Sequence, residues 1–189
     1  MNRKIGLALF ASALLLSSGL AAKDKDDKQH FDPYVNGPVN ESRLIQEVRH
    51  QLVMLPYYGV FDDLGFQVNG STVILQGQVT QPVLKDDAGR AAKKVEGVTN
   101  VVNNIEVLPL SPNDDRIRRG VYRAVYGDSS LSTRYGFRAL PSIHIIVKNG
   151  NVRLEGVVAN EMDRNIAGLR ANGVSGAFHV DNQLKIEAK

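Results

Sequence analysis

The sequence predicts an α+β protein built from two tandem copies of one αββαβ unit, each a three-stranded mixed sheet with two helices on one face. Three observations predict it. The stretch from Val68 to Val107 recurs without a gap as Val147 to Ile186, with Gly77 and Gly156 marking an offset of 79 positions, and self-similarity at a fixed offset is the mark of a duplicated unit. Asn69-Gly70 and Asn149-Gly150 each stand between short alternating apolar runs, a hairpin signal because both turn positions tolerate positive φ. Apolar residues at helical spacing precede and follow each hairpin.

From the N-terminus, Asn2-Arg3-Lys4 leads into an apolar run from Ile5 to Leu16 and a small-residue exit at Ser17 to Ala22. A basic start, a short apolar core and small residues predict a secretory signal peptide over residues 1–22; a retained anchor is the competing reading. The run is too short to span a bilayer, which takes about 20 apolar residues. Residues 23–40 begin with alternating Lys and Asp and read as a solvated tether, since nothing there can bury enough to order itself. Asp24, Asp26 and Asp27 lack the central Gly and closing Glu of a calcium loop.

The first unit is expected over residues 41–109. Leu44, Ile45, Val48, Leu52 and Leu55 form a helical stripe, with Ser42 as cap and Pro56 as stop. Phe66 and Val68, then Val73, Leu75 and Val79, alternate with polar neighbours as the hairpin strands. A second helix starts near Pro82, carries Leu84, Ala88, Ala91 and Val95 on one side, and ends before Gly97. Val101, Asn103, Ile105 and Val107 share one face of a closing strand, and Pro109-Leu110-Ser111-Pro112 reads as a stiff linker.

The second unit is expected over residues 113–189 in the same order. Its first helix runs from Asp115 to Tyr126, a long loop from Gly127 to Pro141, a hairpin through Ile143 to Val158, a helix from Asn160, and a strand through Val180, Leu184 and Ile186. Asn160 with Asp163 forms a capping-box-like start, while Gly168 and Gly173 each weaken that helix by ~1 kcal/mol. The free sheet faces carry Gln76, Gln78 and Asn104 in one copy and Arg153 and Glu155 in the other, so both are expected to be mostly wet. A core of this size is thin, so the copies are expected to pack on each other or on a partner. Gly77 and Gly156 lie in core-facing rows, where close approach of a helix would require glycine.

Composition narrows the function classes. The chain has no cysteine, which excludes disulfides, thiolate metal sites and a cysteine nucleophile. The formal charge of +3 falls to +1 without Arg3 and Lys4, too little for general nucleic-acid binding. His30, His50, His144 and His179 lack metal-pair spacing. No nucleophile elbow accompanies Ser129, Ser130 or Ser142, and no phosphate-cradling glycine loop is present. No cofactor, metal or catalytic site is therefore expected; the long loop, with Arg134, Tyr135 and Arg138, is where one would be sought.

The pattern Leu75-x-Gly77-x-Val79, an Ala-rich helix with Ala88 and Ala92, and Gly97-Val98-x-x-Val101-x-Asn103-x-Ile105-x-Val107 resembles the BON domain family, the bacterial OsmY-and-nodulation module. Leu154, Gly156, Val158, Ala167, Ala171, Gly176, Val180, Asn182, Leu184 and Ile186 repeat it. The resemblance implies an αββαβ fold in an exported, periplasmic or envelope protein, a phospholipid or other envelope ligand, a link to osmotic or envelope stress, and no catalytic residue. Asp163, Arg170 and Ala177 depart from the pattern, standing where the first copy has Leu84, Ala91 and Val98.

The candidate site lies on the Asp115–Tyr126 helix. Ile117, Val121, Ala124 and Val125 form its core stripe; Arg116, Arg119 and Arg123 gather opposite, with Arg118, Tyr122 and Tyr126 along one flank. Arginine pairs with phosphate, tyrosine suits a headgroup boundary, and each cation near an anionic membrane is worth ~1 kcal/mol. Three readings stay open: a solvated face held by Asp114 and Asp115, an anionic phospholipid surface, or another acidic partner. An adaptor docking onto a secretin, channel or cell-wall protein is the alternative function. Lys85, Arg90, Lys93 and Lys94 form a weaker basic group beside Asp86 and Asp87.

Overall fold

The computed structural model describes residues 43–187 apart from residue 139. The expected signal peptide, the tether and the Ser42 cap lie outside the described residues. The first unit runs α1 (Arg43–Val53), β1 (Asp63–Asn69), β2 (Thr72–Val79), α2 (Pro82–Lys93), β3 (Asn100–Asn103) and β4 (Glu106–Val107). The second runs α3 (Pro112–Tyr126), a short α4 (Ser129–Leu131) leading into a π-helical turn Ser132–Gly136, then β5 (Ile143–Lys148), β6 (Asn151–Val158), α5 (Glu161–Asn172), β7 (His179–Asn182) and β8 (Lys185–Ile186). In both sheets the second hairpin strand is central. Phe66 faces Leu75 antiparallel and Val73 faces Val101 parallel; Ile145 with Leu154 and Val152 with Val180 repeat those pairs. The duplication therefore holds at the level of individual strand partners.

The closing strand of each unit is broken in two, and an asparagine breaks it. Asn103 Oδ1 accepts from the Ile105 amide at 3.2 Å, while its Nδ2 donates to the Lys85 carbonyl of α2 at 2.8 Å. Asn182 makes the same bonds to Leu184 and Arg164. A side chain that takes a ladder amide interrupts the ladder, and here it also ties helix to strand. Gly89 and Gly168 make room for it, since a Cβ there would lie 2.9 and 2.7 Å from the two asparagine amide nitrogens. Gly168 thus offsets its helix cost by admitting this bond.

Each unit has its own apolar core, one around Phe66, Leu75 and Leu84, the other around Ile117, Ile145 and Leu154. Gly77 and Gly156 both have φ +121°, and an added Cβ would sit 2.1 and 1.9 Å from the carbonyl oxygens of Asp63 and Ser142. The close approach expected there comes from the neighbouring strand, not from a helix. The linker reading is also corrected: Ser111 caps α3, accepting from the Asp114 amide at 3.2 Å, and Pro112 opens the helix. Proline fits the first turn because its missing N–H has no helical partner to lose.

The two units pack on each other. Ile145 donates its amide to the Val60 carbonyl at 2.8 Å, so the segment before β1 lies along the edge of β5. Val60 and Phe61 join the second unit's core. The Tyr58 ring stacks on His144, with centroids 5.6 Å apart. Behind them Arg153 reaches Asp63 at 3.8 Å and Lys148 reaches Glu106 at 2.5 Å. The sheet face expected to be wet is consequently covered at β5, where His144 and Ile146 are each 2% exposed. Burial lowers the His144 pKa to about 4, and burial raises those of Asp62, Asp63 and Glu155.

Candidate functional site

Helix α3 is held at three points, and they decide which of its cations stay available. Asp114, almost fully buried, accepts from the backbone amides of Asn149 at 2.9 Å and Gly150 at 2.8 Å. The first turn of α3 thereby carries the β5–β6 turn. Arg118 is 4% exposed; it pairs with Asp115 at 2.5 Å and donates to the Val147 carbonyl at 2.6 Å. Tyr126 is buried too, its hydroxyl donating to the Ile143 carbonyl at 2.6 Å. Arg118 and Tyr126, expected on the exposed flank, instead tie α3 to β5.

The other four expected residues remain at the surface. Arg116 is exposed and donates to Asn113 at 2.9 Å. Arg119 and Arg123 are exposed one turn apart, and neither is engaged by an acid among the described residues. Tyr122 is 39% exposed, edge-on to Phe61 of the first unit at 6.1 Å and tilted over Tyr126 at 5.0 Å. The aromatic contacts fix the ring beside the two cations. Gly120 lets α3 lie close to the end of α5, because a Cβ there would approach Val174 to 2.8 Å.

The segment Gly127–Pro141, expected as a loop, is helical over much of its length and supports the departures in α5. Asp163, 1% exposed, receives Arg134 through both carboxylate oxygens at 2.7 and 2.5 Å and the Tyr135 hydroxyl at 2.6 Å. That hydroxyl also accepts from the Ala159 amide. Burial, then the bond to Asp163, raises the Tyr135 pKa. Arg170 pairs with Asp128 at 2.9 Å, whose pKa falls to about 2 through bonds from Ser130 and then Arg170. Only half of the expected capping box forms: Asn160 caps α5, its Oδ1 accepting the Asp163 amide at 2.9 Å, while the Asp163 carboxylate takes the Asn160 side-chain amide and serves the inserted segment. Arg134 and Tyr135 are therefore structural. The sequence signal for this segment was Asp128 before Ser129-Ser130, an N-cap that accepts from the Ser130 amide at 3.0 Å.

Among the described residues no group of three or more histidine or acidic side chains is placed to hold a metal ion. None of the described helices is long and apolar enough to cross a membrane.

The BON domain model matches residues 40–109 and again 113–188. The chain is 28% identical over 130 residues to osmotically-inducible protein Y of Escherichia coli (strain K12), an alignment covering 65% of this chain and 61% of that protein. Among solved structures it is similar to CdsD, a structural protein of the type III secretion system of Chlamydia trachomatis. The likeness has 12% identity and a TM-score of 0.29 over 76% of this chain and 91% of that one. The C-terminal domain of CdsD matches at 14% identity and a TM-score of 0.28, over 78% of this chain and 99% of that one; neither score bears on function.

Proposed function

The chain belongs to the BON domain family, and on that premise we propose that it is an exported, non-catalytic protein that associates with an anionic phospholipid surface of the cell envelope. The observation that carries this reading is the outer face of α3. Arg119 and Arg123 stand exposed with no acid engaging them among the described residues, beside a half-exposed Tyr122 whose ring is fixed by Phe61 and Tyr126. Neither cation has to give up an internal acid to meet a phosphate, and guanidinium can pair with it through two donors. The corresponding first-unit helix mixes Arg43, Glu47 and Arg49, so the second unit is the one that engages the surface. The similarity to an osmotically inducible protein supports a role under osmotic or envelope stress.

Co-sedimentation of the mature chain with phosphatidylglycerol-containing vesicles tests this. Arg119→Glu with Arg123→Glu should reduce binding at least tenfold, since each cation near such a surface is worth ~1 kcal/mol, and binding should weaken as salt rises. The melting temperature should not change. Undiminished binding of the double variant, or equal binding to purely zwitterionic vesicles, would contradict the reading and favour an adaptor that docks on an envelope protein.

A further inference from the structure

Resting on the lipid reading of α3, we propose that the outward ridge of α5 inserts into the acyl region of the same anionic bilayer. Met162, Ile166 and Leu169 recur at i, i+4 and i+7 and so line up along one side of the helix. Met162 and Leu169 are 71% and 73% exposed, with Ile166 half-buried between them against the second core. Apolar residues scattered singly over a surface are ordinary, whereas a contiguous apolar row marks an interaction surface. The first copy has Val83, Asp87 and Arg90 at these positions, and there Arg90 pairs with Asp87. The same helix thus folds with a charged outer face in one unit, and the fold does not call for the apolar one.

The ridge lies beside the cations of α3. Arg170 of α5 pairs with Asp128, just past the end of α3, and a Cβ on Gly120 of α3 would approach Val174, just past the end of α5. The two helices are therefore neighbours, and they bury stripes in one core, Ile117 and Val121 from α3 with Ala167 and Ala171 from α5. At about 100° per residue, Arg119 stands about 200° from Ile117, and Leu169 about 200° from Ala167. Both point away from the sheet, so the arginines and the ridge share the outer surface of the helical layer.

Charge selects the occupant. Arg119 and Arg123 are exposed, while among the acids of α3, α4 and α5 only Glu161 is. A second copy laid antiparallel on the ridge would set Arg119 and Arg123 against their own counterparts. An anionic bilayer attracts the same cations, and it offers the ridge an apolar phase just beneath the phosphates. An apolar row sunk to the headgroup and acyl boundary, with arginines at the phosphates, is the arrangement of an interfacial helix.

The chain contains no tryptophan, so Leu169→Trp places a single reporter in the full mature chain. With phosphatidylglycerol vesicles whose acyl chains carry bromine, its emission should shift to the blue and be quenched. Met162→Gln with Leu169→Gln alters exposed positions and keeps helix propensity, so the melting temperature should not change. Vesicle binding should weaken about tenfold, since two apolar side chains no longer leave water. The part of the binding that survives high salt should disappear, because ionic screening does not reach apolar burial. Co-sedimentation with no shift in the Leu169→Trp emission would overturn insertion and leave the α3 reading standing. Undiminished binding of Arg119→Glu with Arg123→Glu, with the Leu169→Trp shift retained, would keep insertion and remove the α3 reading. No co-sedimentation of the unaltered chain would overturn both. A dimer at sedimentation equilibrium that Met162→Gln with Leu169→Gln disperses would assign the ridge to a second copy and overturn insertion.

Discussion

At the residue scale, three positions carry most of the local argument. Gly77 and Gly156 hold the same φ of +121° against a facing carbonyl. Gly156→Ala should cost at least ~3 kcal/mol, because backbone rather than a flexible side chain blocks the new methyl; chemical denaturation measures it. Asp163 shows how a departure from the repeat is compensated. Asp163→Ala removes the acceptor of Arg134 and of the buried Tyr135 hydroxyl and should cost ~3 kcal/mol. Restoring the first copy's residue by Asp163→Leu should not recover stability, since the inserted segment has no counterpart to Leu84's surroundings.

His144 sets a pH dependence. Its pKa is about 4 in the fold against an ordinary 6.5, so between those values the unfolded chain binds the proton and the native chain does not. Its contribution is complete above pH 6.5 and is lost as pH falls toward 4. Lowering pH from 7 to 5 should remove about 2 kcal/mol through this group. Asp62, Asp63 and Glu155 act in the opposite sense: their raised pKa values favour the acid form in the fold, so acidification through them restores some stability. His144→Phe should flatten or reverse the fall in melting temperature between pH 7 and 5. An unchanged slope would show that His144 is not the group responsible.

At the element scale, what the sequence reveals depends on periodicity. The order of helices and strands and the Asn-Gly turns are legible because each leaves a pattern within a few residues. Arg118 and Tyr126 are not. On a helical projection both lie beside Tyr122, and only the docking of α3 on β5 decides that Arg118 meets the Val147 carbonyl and Tyr126 the Ile143 carbonyl. The buried Asp114 is similarly hidden, since its partners lie at the β5–β6 turn, 35 and 36 positions away. The helical part of Gly127–Pro141 buries only Leu131 and Tyr135 in the second core, too short an apolar stripe to stand out from a loop, and its ties to α5 are polar contacts to distant residues. Four of the six candidate residues reach the surface: Arg116, Arg119 and Arg123 point away from β5, and Tyr122 stays 39% exposed although its ring edge meets Phe61 of the first unit. At this scale, Arg118→Leu should reduce stability, by removing the tie to β5, with vesicle binding per folded molecule retained; Arg119→Glu should do the reverse.

At the scale of the whole molecule, the two units are coupled. The Tyr58–Phe61 segment leaves the first unit to complete the second unit's core and edge strand. The full chain should therefore unfold more cooperatively than two independent copies, and calorimetry of Phe61→Asp should split one transition into two. Separately expressed halves that equal the intact chain in stability would contradict this coupling. The same segment holds Tyr122 in place, so coupling and the proposed surface share one aromatic cluster. The central claim is that α3 of the second unit is the element that meets the envelope surface. Spin-labelled phosphatidylglycerol nanodiscs added to the isotopically labelled mature chain test it most directly, by paramagnetic broadening of nearby amides. The account predicts broadening centred on Arg119, Tyr122 and Arg123 that is lost in Arg119→Glu with Arg123→Glu. Broadening centred on α2 of the first unit, or spread evenly over both units, would contradict it.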